Sequence, residues 1–128
     1  MNKIKQKLLY EDLTYKIRGA IFEVHKALGP VHKESIYCNA LKIEFDYLRI
    51  SYETEKMLRV TYRGKQVGIY KPDFIIEDKI IVEIKAVPII TKAMLDQVYF
   101  YVRGSKYKLV LLANFGAKSA DIRRKIYD

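Results

Sequence analysis

Residues 72–85 read PDFIIEDKIIVEIK, and no other stretch restricts the fold as strongly. Two short apolar runs, Phe74-Ile75-Ile76 and Ile80-Ile81-Val82, flank Glu77-Asp78-Lys79, a turn signal that predicts an antiparallel hairpin. If the turn centres on Asp78, Asp73 lies opposite Glu83 and Ile75 opposite Ile81. Side-chain alternation then puts Asp73, Glu83 and Lys85 on one face and Phe74, Ile76, Val82 and Ile84 on the other. A two-residue turn at Glu77-Asp78 would instead pair Asp73 with Val82 and move it to the wrong face. In the alternative reading of the spacing, Asp73 merely begins a strand, and Glu83 and Lys85 are the solvent-facing alternates of an amphipathic one.

In the first register two carboxylates and an ammonium meet at the open end of an apolar hairpin. Carboxylates held together repel unless something positive lies between them. A hard divalent cation such as Mg²⁺ or Mn²⁺, bound by carboxylate oxygens and waters, meets that need. Lys85 can orient or help deprotonate an attacking water, or stabilise a phosphate as charge develops.

The rest of the chain predicts helices on either side of this hairpin. Apolar residues recur at helical spacing from Leu13 through Ile17, Ala20, Ile21, Val24 and Leu28, and Gly29-Pro30 ends that helix. A second helix is expected from about residue 34 to 48, with Tyr37, Leu41 and Phe45 inward and Cys38 as a small packing residue. Residues 50–87 predict three or four antiparallel strands, with a further turn at Arg63-Gly64-Lys65. Thr91 is the expected N-cap of a third helix ending before Gly104-Ser105. A buried strand, KLVLLA, follows at residues 108–113, then a turn at Asn114-Phe115-Gly116. The predicted order is α-α-β-β-β-β-α-β, an α/β fold with a mixed sheet flanked by helices. With no repeat or linker, residues 1–128 are expected to form one domain, with an N-terminal arm at 1–12 and a basic helix or tail at 117–128.

Lys and Arg number 24 against 15 acids, a net charge of +9 that favours a polyanionic partner, nucleic acid first. The expected phosphate contacts are Lys71, Lys85, Lys92, Arg103 and the run Arg123-Arg124-Lys125. The single cysteine excludes an internal disulfide and points to a reducing compartment. His25 and His32 have no metal-binding spacing and are read as surface or turn residues, with His32 a weak candidate for a phosphate contact. No signal-peptide core or membrane-length apolar run is expected, so the reading is a cytoplasmic protein. Neither a heptad nor an apolar patch marks a dimer surface.

The motif Pro72-Asp73 followed by Glu83-Ile84-Lys85 resembles the pattern that names the PD-(D/E)XK nuclease superfamily. The chain is also similar, from about residue 14 to 116, to its GxxExxY family. That likeness includes Glu23-Val24-His25-Lys26, Leu28-Gly29-Pro30, Glu34-Ser35-Ile36-Tyr37, Gln97 and Asn114-Phe115-Gly116. Val31 stands where that family has its leading glycine, which predicts a different backbone at the turn. The resemblance implies metal ligation by Asp73, Glu83 and the Ile84 carbonyl, with Glu34 as an outer acidic ligand and Glu23 its rival. It also implies a supporting role for Gln97, which shares a helical face with Tyr101, and pairing into a homodimer. The implied activity is metal-dependent hydrolysis of phosphodiester bonds, with DNA ahead of RNA. The alternative is a nucleic-acid-binding or partner-binding module on the same fold that turns over nothing.

Overall fold

The computed structural model describes residues 10–127. Two helices, α1 (Glu11–Leu28) and α2 (Glu34–Tyr47), precede strands β1 (Tyr52–Glu53), β2 (Leu58–Tyr62), β3 (Lys65–Tyr70), β4 (Phe74–Ile76) and β5 (Ile80–Lys85). Helix α3 (Lys92–Arg103) then leads to β6 (Leu109–Asn114) and β7 (Asp121–Ile126). The main sheet has the order β1-β4-β5-β6-β7, parallel only between β5 and β6, while β2 and β3 form a separate hairpin.

This mixed α/β architecture carries the expected core, with two corrections. Five strands, rather than three or four, precede α3, because alternation identifies faces but not partners. Residues 121–126 form an edge strand antiparallel to β6, not a helix or tail. Ile122 and Ile126 both pack on the core, and their separation suits one helical face and one strand face equally. The sheet edge resolves the choice. Of the proposed N-terminal arm, positions 1–9 lie outside the described residues, and Glu11 and Asp12 already belong to α1.

The sheet separates two apolar layers. Ile17, Ile21, Leu41 and Phe45 from α1 and α2 meet Phe74, Ile76, Val82 and Ile84 on one face. Val98 and Val102 of α3 meet Ile75, Ile81, Val110 and Leu112 on the other. Each of these fully buried aliphatics contributes about 1.5–3 kcal/mol. Thr91 caps α3 as expected, its Oγ1 accepting the Met94 N–H at 3.2 Å.

Tyr37 fixes the turn between α1 and α2. Its hydroxyl donates to the Gly29 carbonyl and accepts the His32 N–H at 3.1 Å, and its ring stacks on Phe115 at 4.5 Å. Val31 is absent from the positive-φ residues and its side chain is 80% exposed, so a side chain fits here without glycine's freedom. His25, expected at the surface, is buried instead, its Nε2 bonded to the Ala117 carbonyl at 2.9 Å. The fold also assembles an apolar surface that the sequence did not reveal. Tyr15 and Phe22 of α1 and Ile43 and Tyr47 of α2 are exposed along one groove. No described helix is long and apolar enough to cross a membrane.

Candidate active site

The β4–β5 register is the one that brings the acids together. Glu77 and Asp78 form a tight turn with φ of 49° and 54°, closed by Lys79 N–H donating to the Ile76 carbonyl at 2.9 Å. Lys79 is then left over, so Ile76 faces Ile80 and Ile75 faces Ile81. The register is the one expected of a turn centred on Asp78, and the pairing of Asp73 with Val82 does not form. The turn is tight, and the extra residue restores the face.

Asp73 and Glu83 lock one another. The Asp73 N–H donates to Glu83 Oε1 at 3.0 Å, and the Ile84 N–H donates to Asp73 Oδ2 at 2.8 Å. The Tyr70 hydroxyl also donates to Glu83 Oε1, at 2.6 Å. Each carboxylate keeps one oxygen, Asp73 Oδ1 and Glu83 Oε2, that bonds no donor among the described residues. Lys85 is half-buried nearby. Its charge favours ionisation of both acids, yet it forms no ion pair with either among the described residues.

Burial, and next the charge of Asp73, push Glu83 up to about 7, against the opposing pull of the Tyr70 and Asp73 donors and Lys85. Burial also raises Asp73. A raised carboxylate holds its proton in the folded protein at a pH where the unfolded chain has released it. This contribution to stability is thus fully present below the ordinary carboxylate range and is lost as pH rises toward neutrality. In EDTA, urea unfolding should show a loss on the order of 3 kcal/mol between about pH 5 and pH 8. Asp78 and Asp121 are shifted downward and act only in more acidic solution. Mg²⁺ should recover much of the loss at the higher pH. Equal stability at both pH values in EDTA would mean that the pair is not strained.

The donor set fits a hard cation. Two carboxylates with one uncommitted oxygen each, completed by a main-chain carbonyl and waters, match the way Mg²⁺ is held. No three His, Cys, Asp or Glu side chains gather closely enough among the described residues to hold a metal by themselves. Glu34, exposed in the first turn of α2, is therefore not brought into ligating contact with the pair. Its charge and those of the pair do reach one common neighbour, Cys38 of α2. Burial pushes the Cys38 thiol up to about 12, reinforced by the charges of Asp73, Glu34 and Glu83 in that order. Glu23 faces the outer groove between α1 and α2 with Ile43 and Glu44.

Gln97 is exposed on α3 and makes no hydrogen bond among the described residues. Four residues on, Tyr101 stacks on Tyr70 at 4.6 Å, so this helical face reaches the acids through Tyr70. Sequence reasoning missed Tyr70. It comes from the separate β2–β3 hairpin, and only its place just before Lys71-Pro72-Asp73 hinted at it. Among the expected phosphate contacts, Lys71 pairs with Glu55 at 3.2 Å, Lys92 with Asp96 at 2.7 Å and Arg123 with Asp121 at 2.8 Å. Lys125 lies 5.8 Å from the Tyr99 ring centre and Arg103 5.0 Å from that of Phe100. Arg124 alternates with Arg123 and Lys125 on β7, so the basic run is split between the two faces of an edge strand.

A hairpin carrying opposed Asp and Glu, with Lys two residues on, thus lies inside a helix-flanked mixed sheet. A family model described as the PD-(D/E)XK nuclease superfamily matches residues 11–125, and the chain belongs to that superfamily. No curated protein and no solved structure matches. Nucleases of this superfamily generally use divalent metals and act on nucleic acid.

Proposed function

We propose that the protein is a metal-dependent nuclease that hydrolyses phosphodiester bonds, with DNA ahead of RNA as substrate. The observation that carries this reading is the Asp73–Glu83 pair, clamped by backbone N–H groups while each acid offers a free oxygen. Asp73, Glu83 and the Ile84 carbonyl hold Mg²⁺ or Mn²⁺. A bound cation supplies Lewis-acid polarisation of the phosphoryl oxygen and lowers the pKa of its water. Lys85, uncommitted to either acid, orients the attacking water or stabilises the phosphate as its charge grows. Glu34 acts as an outer acidic contact and Gln97 as a support from α3. Lys71, Lys92, Arg103, Arg123, Arg124 and Lys125 are retained as candidate backbone contacts. The likeness to the GxxExxY family belongs to the same reading. So does pairing into a homodimer, for which Phe22, Ile43 and Tyr47 offer an apolar surface.

The test is cleavage of single-stranded, duplex and branched DNA and of RNA, in Mg²⁺ or Mn²⁺ against EDTA. Metal-dependent release of fragments supports the nuclease. Binding without fragments in any metal would transfer the case to a non-catalytic nucleic-acid module on this fold.

The choice of outer acid is tested separately. Glu34→Gln should reduce cleavage by about 10- to 100-fold, the range for groups just outside the metal's own ligands. Glu23→Gln, on the opposite groove, should leave it near wild type. A loss confined to Glu23→Gln would reverse the assignment.

A further inference from the structure

The β2–β3 hairpin is joined to the main body where Leu58 and Tyr70 pack against the α3 layer. Between β2 and the C-terminal half of α3 it leaves a cleft of about 590 Å³. Four cations line it, Lys56, Arg59, Arg103 and Lys106, and no carboxylate does. Asp78, at the cleft's border, offsets two of them, lying 3.6 Å from Lys56 and 2.8 Å from Lys106. The guanidinium groups remain. Arg59 bonds the neutral Gln66 at 2.9 Å, and Arg103 lies over the Phe100 ring. Neither has a carboxylate partner among the described residues.

Aromatic rings share this wall. Phe100 lines the cleft with 62% of its surface exposed, and Tyr101 lines it beside Phe100. An exposed ring next to two unneutralised guanidinium groups suits a partner that is both flat and anionic. Nucleic acid with unpaired bases has that chemistry, since bases stack on aromatic side chains while phosphates meet the cations. A paired duplex keeps its bases stacked inside and offers Phe100 only backbone. An acidic peptide would satisfy the arginines but leave the ring without a stacking partner.

The cleft also communicates with the acids. Tyr101, in its lining, stacks on Tyr70, whose hydroxyl donates to Glu83. Only two side chains separate a strand lying in the cleft from the Asp73–Glu83 pair.

We infer that the cleft between β2 and α3 binds an unpaired stretch of nucleic acid, its bases stacked on Phe100 and its phosphates held by Arg59 and Arg103. That this strand then enters the acidic site rests on the nuclease reading; the binding itself does not.

Fluorescence anisotropy in EDTA, with a short labelled oligothymidylate and a duplex of equal length, tests the binding apart from any cleavage. Phe100→Ala should weaken single-strand affinity by about tenfold and leave the duplex unchanged. Arg59→Ala with Arg103→Ala should reduce the single-strand salt slope by about 1.4, near 0.7 for each phosphate that is no longer neutralised. Phe100 is exposed, and an unchanged thermal melt confirms the variant's fold. Asp73→Asn should keep full single-strand affinity. Single-strand binding that depends on Phe100, in a protein that cuts nothing, would uphold the cleft and remove the nuclease. Phe100→Ala binding like wild type, or losing single strand and duplex equally, would overturn the cleft even if cleavage is robust. Phe100-dependent binding of a labelled polyglutamate in place of oligothymidylate would also overturn it.

Discussion

Asp73→Asn is expected to lower metal-dependent cleavage by more than about 100-fold while the protein remains folded. Groups just outside a metal's own ligands are worth about 10- to 100-fold, and a direct ligand should exceed that. The substitution is informative because it leaves the local clamp in place. An asparagine carbonyl can still accept the Ile84 N–H, and the main-chain N–H at position 73 can still donate to Glu83. Only the charge and the free carboxylate oxygen are removed. Without that negative neighbour, Glu83 should ionise more readily, since Asp73 is the second cause of its upward shift. The metal-free variant should therefore be at least as stable as wild type near pH 8. Calorimetry should show weakened Mg²⁺ or Mn²⁺ binding with an unchanged circular dichroism spectrum. If cleavage survives, the metal is held elsewhere.

Among substitutions, the largest stability effect is expected away from the acids, at Gly116. A Cβ there would lie 2.3 Å from the Val87 nitrogen, 2.4 Å from its oxygen and 2.6 Å from the Ala86 carbonyl carbon. All three are backbone atoms, so no side chain can swing aside. The neighbouring segment is held as well. Buried Asn114 accepts the Val87 and Gly116 N–H groups through Oδ1, each at 3.0 Å, and donates through Nδ2 to the Val87 carbonyl at 2.8 Å. Beside it, the Phe115 N–H donates to the Lys85 carbonyl at 2.8 Å. Gly116→Ala must break part of this clasp or push the Lys85-Ala86-Val87 exit from β5 off the end of β6. A cost of about 3 kcal/mol is expected, at the upper end for overpacking. In a domain of this size that lowers Tm by about 10 °C. Because the clasp holds the end of the strand that carries Glu83 and Lys85, cleavage should also fall in the folded fraction. A melt within a degree or so of wild type would show that the segment can move aside.

The parts of this molecule legible in its sequence are those set by periodicity and by local caps. The helical stripe ending at Gly29-Pro30, the Thr91 cap and the apolar β4–β5 pair all read directly. The facing of Asp73 and Glu83 was legible only as one of two registers. Deciding between them needed two consecutive left-handed residues, Glu77 and Asp78, and an unpaired Lys79, none of which composition dictates. Residues 121–126 were misassigned because Ile122 and Ile126 satisfy helix and strand periodicities together. Tyr70 was invisible for another reason. Its contact with Glu83 depends on where the β2–β3 hairpin docks, and that is decided by Leu58 and Tyr101 rather than by neighbours in sequence. The buried His25 belongs with it, since its partner carbonyl at Ala117 is distant along the chain.

Asp73 and Glu83 are proposed to hold a divalent metal together. Diffraction from crystals soaked in Mn²⁺, with data collected to record manganese's anomalous signal, locates that ion without reference to activity. The expected result is a peak at the Asp73–Glu83 pair that is absent in Asp73→Asn. A peak elsewhere, or none at a Mn²⁺ concentration that supports cleavage, would contradict it.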